Sequence, residues 1–228
     1  MKRNKVNLNI SESMNTGAIK GTLKLGGFIG YIDTNPGMKL SISNSMNNGT
    51  LNGLGNIGGL IGEMHNNNMD ASISNCSNNG LVNGTTAIGG LIGFISSDLQ
   101  PLTQLFVMTN SEKNGDVSAS EGYGCGMFCV DETNYNGVNM TLFNSINKGN
   151  VSAASRAYGI SNIITSARNV VSMGTVTGKS KSNTFWNVST DVDLFYGMKD
   201  KCINCNADVT LFEYDASADC FVVVSTRD

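Results

Sequence analysis

Residues Gly55 to Phe94 read GNIGGLIGEMHNNNMDASISNCSNNGLVNGTTAIGGLIGF and say the same thing twice. Asn56-Ile-Gly-Gly-Leu-Ile-Gly62 returns as Ala87-Ile-Gly-Gly-Leu-Ile-Gly93, displaced by 31 residues. Ser41-Ile-Ser-Asn-Ser-Met-Asn-Asn-Gly49 returns at the same displacement as Ser72-Ile-Ser-Asn-Cys-Ser-Asn-Asn-Gly80. A period of this length is the signature of stacked or arrayed units.

With Gly49 and Gly80 as anchors, further copies align on Gly17, Gly115, Gly149 and, more weakly, Gly174. One apolar column then runs Ile10, Ile42, Ile73, Met108, Leu142, Ala167, and a second runs Ile19, Leu51, Val82, Val117, Val151, Val176. Between them lies a polar column of Glu12, Asn44, Asn75, Asn110, Asn144 and Asn169. After a column of small residues comes the diglycine stretch. It is clear at Gly26-Gly27, Gly58-Gly59 and Gly89-Gly90, and degraded at Gly124-Cys125 and Tyr158-Gly159.

Each unit contains short stretches of apolar-polar alternation, the period of a half-buried strand, and none has helical periodicity. One unit, at roughly 3.3 Å per residue, gives a contour near 100 Å, which suits a flattened coil of two or three strands with tight corners. Stacking such coils pairs every strand with its own copy, so identical residues form ladders about 4.8 Å apart. Parallel crossovers are overwhelmingly right-handed. The expected fold is therefore an all-β, right-handed parallel β-helix of about five to six coils, a rod about 29 Å long for six. The Asn column is expected to stack its side-chain amides along the rod. Leucine-rich repeats and propeller blades do not fit the pattern.

Composition bounds the rest. The chain has 228 residues, of which 14% are charged, with 27 Gly, only two Pro and a formal net charge of −3. Low charge with abundant Asn, Ser and Gly is common in disordered chains, but 40% apolar residues set in strict columns argue for a packed core. No basic patch is present for nucleic acid, no run is long enough to span a bilayer, and the basic N-terminus lacks the apolar region of a secretory signal. The repeats occupy residues 10–188, after a lead-in at 1–9. The divergent segment 189–228 contains two strand-like stretches, Thr210-Leu-Phe-Glu-Tyr and Cys220-Phe-Val-Val-Val, and reads as a small β-rich cap. A repeat already under way by Ile10 suggests a piece of a longer polypeptide.

Gly59-Leu60-Ile61-Gly62 and Gly90-Leu91-Ile92-Gly93, with the variant Gly27-Phe28-Ile29-Gly30, resemble the GLUG motif, Gly-Leu-x-Gly, of large secreted and surface proteins. The resemblance covers residues 10 to about 165 and is closest from 10 to 94. It implies a β-solenoid in an adhesin-like protein at the cell surface or outside the cell. No catalytic residues and no cofactor carry over. The expected function is a non-enzymatic adhesive or spacer rod, with a host or matrix protein or a glycan as partner. The alternative is a carbohydrate-active β-helix enzyme.

Three stretches interrupt the units at one place in the repeat: Asn66–Asp70, Ser96–Gln104 and Asp131–Gly137. Insertions in solenoids map to loops on one face, often the binding face, although corners also tolerate added length cheaply. His65, Asp70, Asp98, Asp131 and Tyr135 are the candidate contacts there. Asp33, His65, Ser96 and Asp131 also share one column, a line with His between an acid and a serine, and each follows an apolar residue, so alternation places them on the surface. A hydrolytic site would need an oxyanion hole and a pocket as well, and no catalytic assignment is made. Glu12, Glu63, Glu112, Asp116 and Glu121, which a polysaccharide-cleaving enzyme would need together, fall in different columns. Phe185 and Trp186, which could stack on a sugar, more readily cap the core.

Cys202-x2-Cys205 has zinc-ligand spacing, but the tail offers only Cys220 as a third ligand. No metal site is expected, while a disulfide within the tail stays open. Cys125 and Cys129 on one strand would stand about 13 Å apart, too far to bond. Cys76 takes the place of Ser45 and Ser111 in its column and reads as a small filler. Sequons at Asn9, Asn48, Asn75, Asn83, Asn139, Asn150 and Asn187 permit glycosylation without indicating it. Asn83 and Asn150 flank inward valines and should point outward.

Overall fold

A computed structural model describes residues 6–33, 38–65, 69–97, 105–133, 139–164, 166–178, 181–185, 211–215 and 220–225. The described residues form no helix. The chain winds as a β-solenoid whose stacked strands are all parallel.

Each coil has three sides. The first side is built of Asn7–Ser11, Lys39–Ser43, Asp70–Ser74, Leu105–Thr109, Asn139–Asn147 and Ser166–Ser172. The second, short side runs from Ile19–Lys20 through Leu51–Asn52, Val82–Gly84, Val117–Ala119 and Val151–Ala153 to Val176–Gly178. The third carries Leu23–Gly26, Gly55–Gly58, Thr86–Gly89 and Gly124–Cys125. It then bends at the diglycine into Ile29–Asp33, Ile61–His65, Ile92–Ser96 and Phe128–Val130. Among the described residues the second side stacks six strands in parallel.

The registers reproduce the apolar columns residue for residue. Ile10, Ile42, Ile73, Met108, Leu142 and Ala167 are consecutive partners. So are Ile19, Leu51, Val82, Val117, Val151 and Val176. From the second coil onward both ladders are buried, and each fully enclosed aliphatic side chain contributes about 1.5–3 kcal/mol. The larger cluster fills the space between the first side and the arm beyond the bend, where Phe106 and Phe128 meet edge-on with ring centroids 5.4 Å apart. The smaller one lies behind the second side.

The anchor glycines are required by close approach. A Cβ on Gly49 would overlap the carbonyl oxygen of Gly17, and one on Gly80 that of Gly49; Gly115, Gly149 and Gly174 repeat the relation. At the corner before each anchor, Glu12, Asn44, Asn75, Asn110 and Asn144 all have φ between 46° and 50° or slightly above, at 53° for Asn75. Asn is among the few side-chain-bearing residues that tolerate this left-handed conformation.

That finding corrects the expected role of this column. Asn75 Nδ2 does donate a hydrogen bond to Asn44 Oδ1 (3.1 Å), but what unites the members is backbone conformation. The longer amide ladder lies elsewhere, two residues before the anchors Gly17, Gly49 and Gly80. Asn15 Nδ2 donates to Asn47 Oδ1 and Asn47 Nδ2 to Asn78 Oδ1, both at 2.7 Å, and Asn47 and Asn78 are fully buried. Each amide also closes the turn to its own anchor glycine, as in Asn47 Nδ2 to Gly49 O (2.9 Å). A second, exposed ladder runs from Asn114 to Asn79 to Asn48.

Cys76 behaves as the filler expected. Its thiol reaches the Ser74 carbonyl (3.2 Å) just as the Ser45 and Ser111 hydroxyls reach those of Ser43 and Thr109. In the tail, Leu211–Asp215 and Cys220–Ser225 form an antiparallel pair, and the latter strand lies beside Ser166–Ser172.

Candidate functional site

Every interruption opens from the end of the arm beyond the bend. Parallel register stacks Asp33, His65 and Ser96 at that end, and Lys39 with Asp70 where the chain re-enters the first side. The loop ends thus share one edge of the rod. Within that edge the Ser96 hydroxyl lies 3.1 Å from His65 Nδ1.

The column is formed, but its exposure differs from expectation. Asp33 is exposed and His65 half-buried, while Ser96 is only 7% exposed and the neighbouring Ser97 2%. Alternation fails at Ser96 because Ile95 and Ser97 are both inside as well. A serine enclosed in this way is a poor nucleophile toward an external substrate, and the bond holds the imidazole to the next coil.

Asp131 continues the line one coil on, its backbone N–H donating to the Ile95 carbonyl (2.8 Å). Its carboxylate accepts from the Thr133 N–H (2.9 Å) and hydroxyl (2.6 Å), which caps the turn into the loop. Asp70 is exposed at the head of its strand, in register beside Lys39. Of the five candidates, His65, Asp70 and Asp131 are thereby placed on one edge. Asp98 and Tyr135 lie outside the described residues, as do Trp186, Cys202 and Cys205.

Three of the five acids considered for glycoside chemistry, Glu63, Glu112 and Asp116, are engaged with separate partners. Glu63, 7% exposed, is held by Lys24 Nζ (3.0 Å) and Asn56 Nδ2 (2.6 Å), and the same ammonium sits 3.6 Å from the Tyr31 ring centroid. Glu112 pairs with Lys148 (3.1 Å), and Asp116 accepts from the Asn150 N–H (2.8 Å). Among the described residues no three His, Cys, Asp or Glu side chains converge to hold a metal, and no helix is long and apolar enough to cross a membrane.

Cys125 and Cys129 are disulfide-bonded, with their Cα atoms 5.5 Å apart, which overturns the 13 Å expectation. The two are not on one strand. The diglycine bend falls between Gly124–Cys125 and Phe128–Val130 and folds the second residue back onto the first. The earlier coils place glycine at both positions, Gly58 with Gly62 and Gly89 with Gly93, and there a Cβ would strike backbone. The fourth coil fills the same place with a covalent bond, buried against Tyr158. Replacing both cysteines with glycine should keep the fold and lose about 2 kcal/mol on loop-closure entropy. In denaturant titrations, a reductant should lower the midpoint of the native protein and leave that of the double variant unchanged.

Lys113 was readable in the sequence but not singled out. It occupies the buried amide ladder where Asn15, Asn47, Asn78 and Asn147 stand in the other coils. It is fully enclosed, and its ammonium reaches the Asn150 carbonyl (2.9 Å). Burial pulls its pKa down to about 7 against the opposing pull of Asp116. The ladder is broken there, and the side-chain amide oxygen of Asn147, Oδ1, is buried with no hydrogen-bond partner among the described residues.

No family model, curated protein or solved structure matches this chain.

Proposed function

We propose that this chain is a non-enzymatic rod segment of a cell-surface or secreted protein, serving as an adhesive element or a spacer. The observation that carries the reading is where the polar groups go. The Asn and Ser columns hydrogen-bond one coil to the next, so the sides of the rod are occupied with their own stacking. The edge where the loops begin and end is the place left for variation. The resemblance to GLUG-repeat proteins points the same way. The buried Cys125–Cys129 bridge supports an oxidising setting outside the cytoplasm.

Trimming the Ser96–Gln104 and Asp131–Gly137 loops to the length of Asn66–Asp70 should leave the rod folded and abolish binding to glycan- or matrix-coated surfaces. Undiminished binding would reduce the rod to a spacer. Cleavage of a polysaccharide by the purified chain, seen as new reducing ends or unsaturated products, would overturn the reading.

A further inference from the structure

The first coil is built as though another coil preceded it. Among the described residues its strands pair on one side only, and its core residues Leu8, Ile10, Ile19 and Leu25 are half-exposed where their counterparts Leu40, Ile42, Leu51 and Ile57 are buried. Met14 and Leu23 are 63% and 58% exposed. Stacked repeats that end a rod carry a polar outer face, which this coil lacks.

Three columns say what would cover the face. Gly17 is the only anchor glycine among the described coils for which a Cβ would meet nothing closer than its own neighbour Asn15 Oδ1, at 3.7 Å. Its backbone lies outside the left-handed region, so neither space nor conformation in this coil requires glycine. In every later coil the requirement comes from the carbonyl of the preceding anchor.

Asn47 Oδ1 accepts an amide from the preceding coil, whereas among the described residues Asn15 Oδ1 accepts only the Gly17 N–H (3.2 Å). Ser45, Ser111 and Ser145 Oγ accept a backbone N–H from the preceding coil, and Ser13 Oγ accepts none among the described residues. The empty positions ask for a glycine carbonyl, an amide donor and a backbone N–H in the spacing of the trailing face of this same repeat.

We propose that this face is a stacking interface for a further coil of the repeat, lying on the N-terminal side of Asn7–Ser11 in the same polypeptide. Two copies meeting by their leading faces would oppose acceptor to acceptor. Head-to-tail association of copies would need the last coil, whose first strand already has Cys220–Ser225 beside it.

The test places a copy of residues 39–69 directly before Asn7, so that Asn7 follows it as Asp70 follows Met69. In the 228-residue chain, Gly17→Ala should leave the denaturation midpoint unchanged or slightly raised, while Gly49→Ala lowers it. In the extended chain the midpoint should rise, and Gly17→Ala should now lower it as strongly as Gly49→Ala does. A silent Gly17→Ala in the extended chain would overturn the proposal. So would concentration-dependent self-association of the 228-residue chain that Gly17→Leu abolishes, since the occupant would then be a second copy. The coding sequence upstream should carry Gly 31 or 32 residues before Gly17 with Asn two residues ahead of it, and its absence there would refute the covalent source.

Discussion

Val82→Asp should leave the chain unfolded. Val82 is wholly enclosed between Leu51 and Val117, in the middle of a ladder six coils long. A carboxylate there has no cation, no donor and no water to meet. It must either stay charged in an apolar stack or take up a proton and leave a hydroxyl unpaired. Either cost exceeds about 5 kcal/mol, comparable with the whole stability of an ordinary domain. Far-ultraviolet circular dichroism should show the β-signal lost at neutral pH. The adjacent Asn83→Asp is the control. That side chain is half-buried on the outer face and donates to Asn52 Oδ1 (3.2 Å), so the change should cost about 1 kcal/mol and leave the spectrum intact.

Lys113→Asn should do the opposite and stabilise the rod, by roughly 3–5 kcal/mol near neutral pH. The lysine titrates near 10.5 when unfolded and at about 7 in the fold. Between those values the unfolded chain holds a proton that the folded chain has released, so stability rises as pH rises from about 7 toward 10. Below about 7 both states are protonated and the full penalty persists. Asparagine removes that penalty and restores an acceptor for Asn78 and a donor for the orphaned Asn147 oxygen. Against this stands the loss of the lysine stem packed beside Gly90. Urea midpoints from pH 6 to 10 should climb for the native protein and stay flat for the variant. Parallel profiles would mean that Asp116 and the Asn150 carbonyl already compensate the buried charge.

The columns were legible because burial in a stacked coil acts on the same position in every copy. Ile42 and Val82 recur as apolar residues for one reason, and the register follows from the period. What escaped were places where one residue type serves two physical needs. Asn at Asn44 and Asn75 signals a left-handed corner, while Asn at Asn47 and Asn78 signals a buried amide ladder, and composition does not separate them. The Cys125–Cys129 bridge was missed because distance was counted along a straight strand. The bend was already marked in the earlier coils, where glycine stands at both positions. Ser96 was placed outside by alternation, which ceases to hold where a strand runs into a loop. Of the loop edge, the shared position of its members was readable from spacing. The His65–Ser96 hydrogen bond depends on side-chain direction, which spacing leaves open.

The parallel register has a mechanical consequence. Each described strand of the solenoid is paired with strands about one unit away in sequence. A pull on the two ends therefore meets the ladders one coil at a time. Each coil that yields releases about 100 Å of slack and leaves the next coil paired on one side only, while the coils beyond that keep both neighbours. A tether of this kind lengthens in instalments under load, and its length at a given tension is set by how many coils have let go.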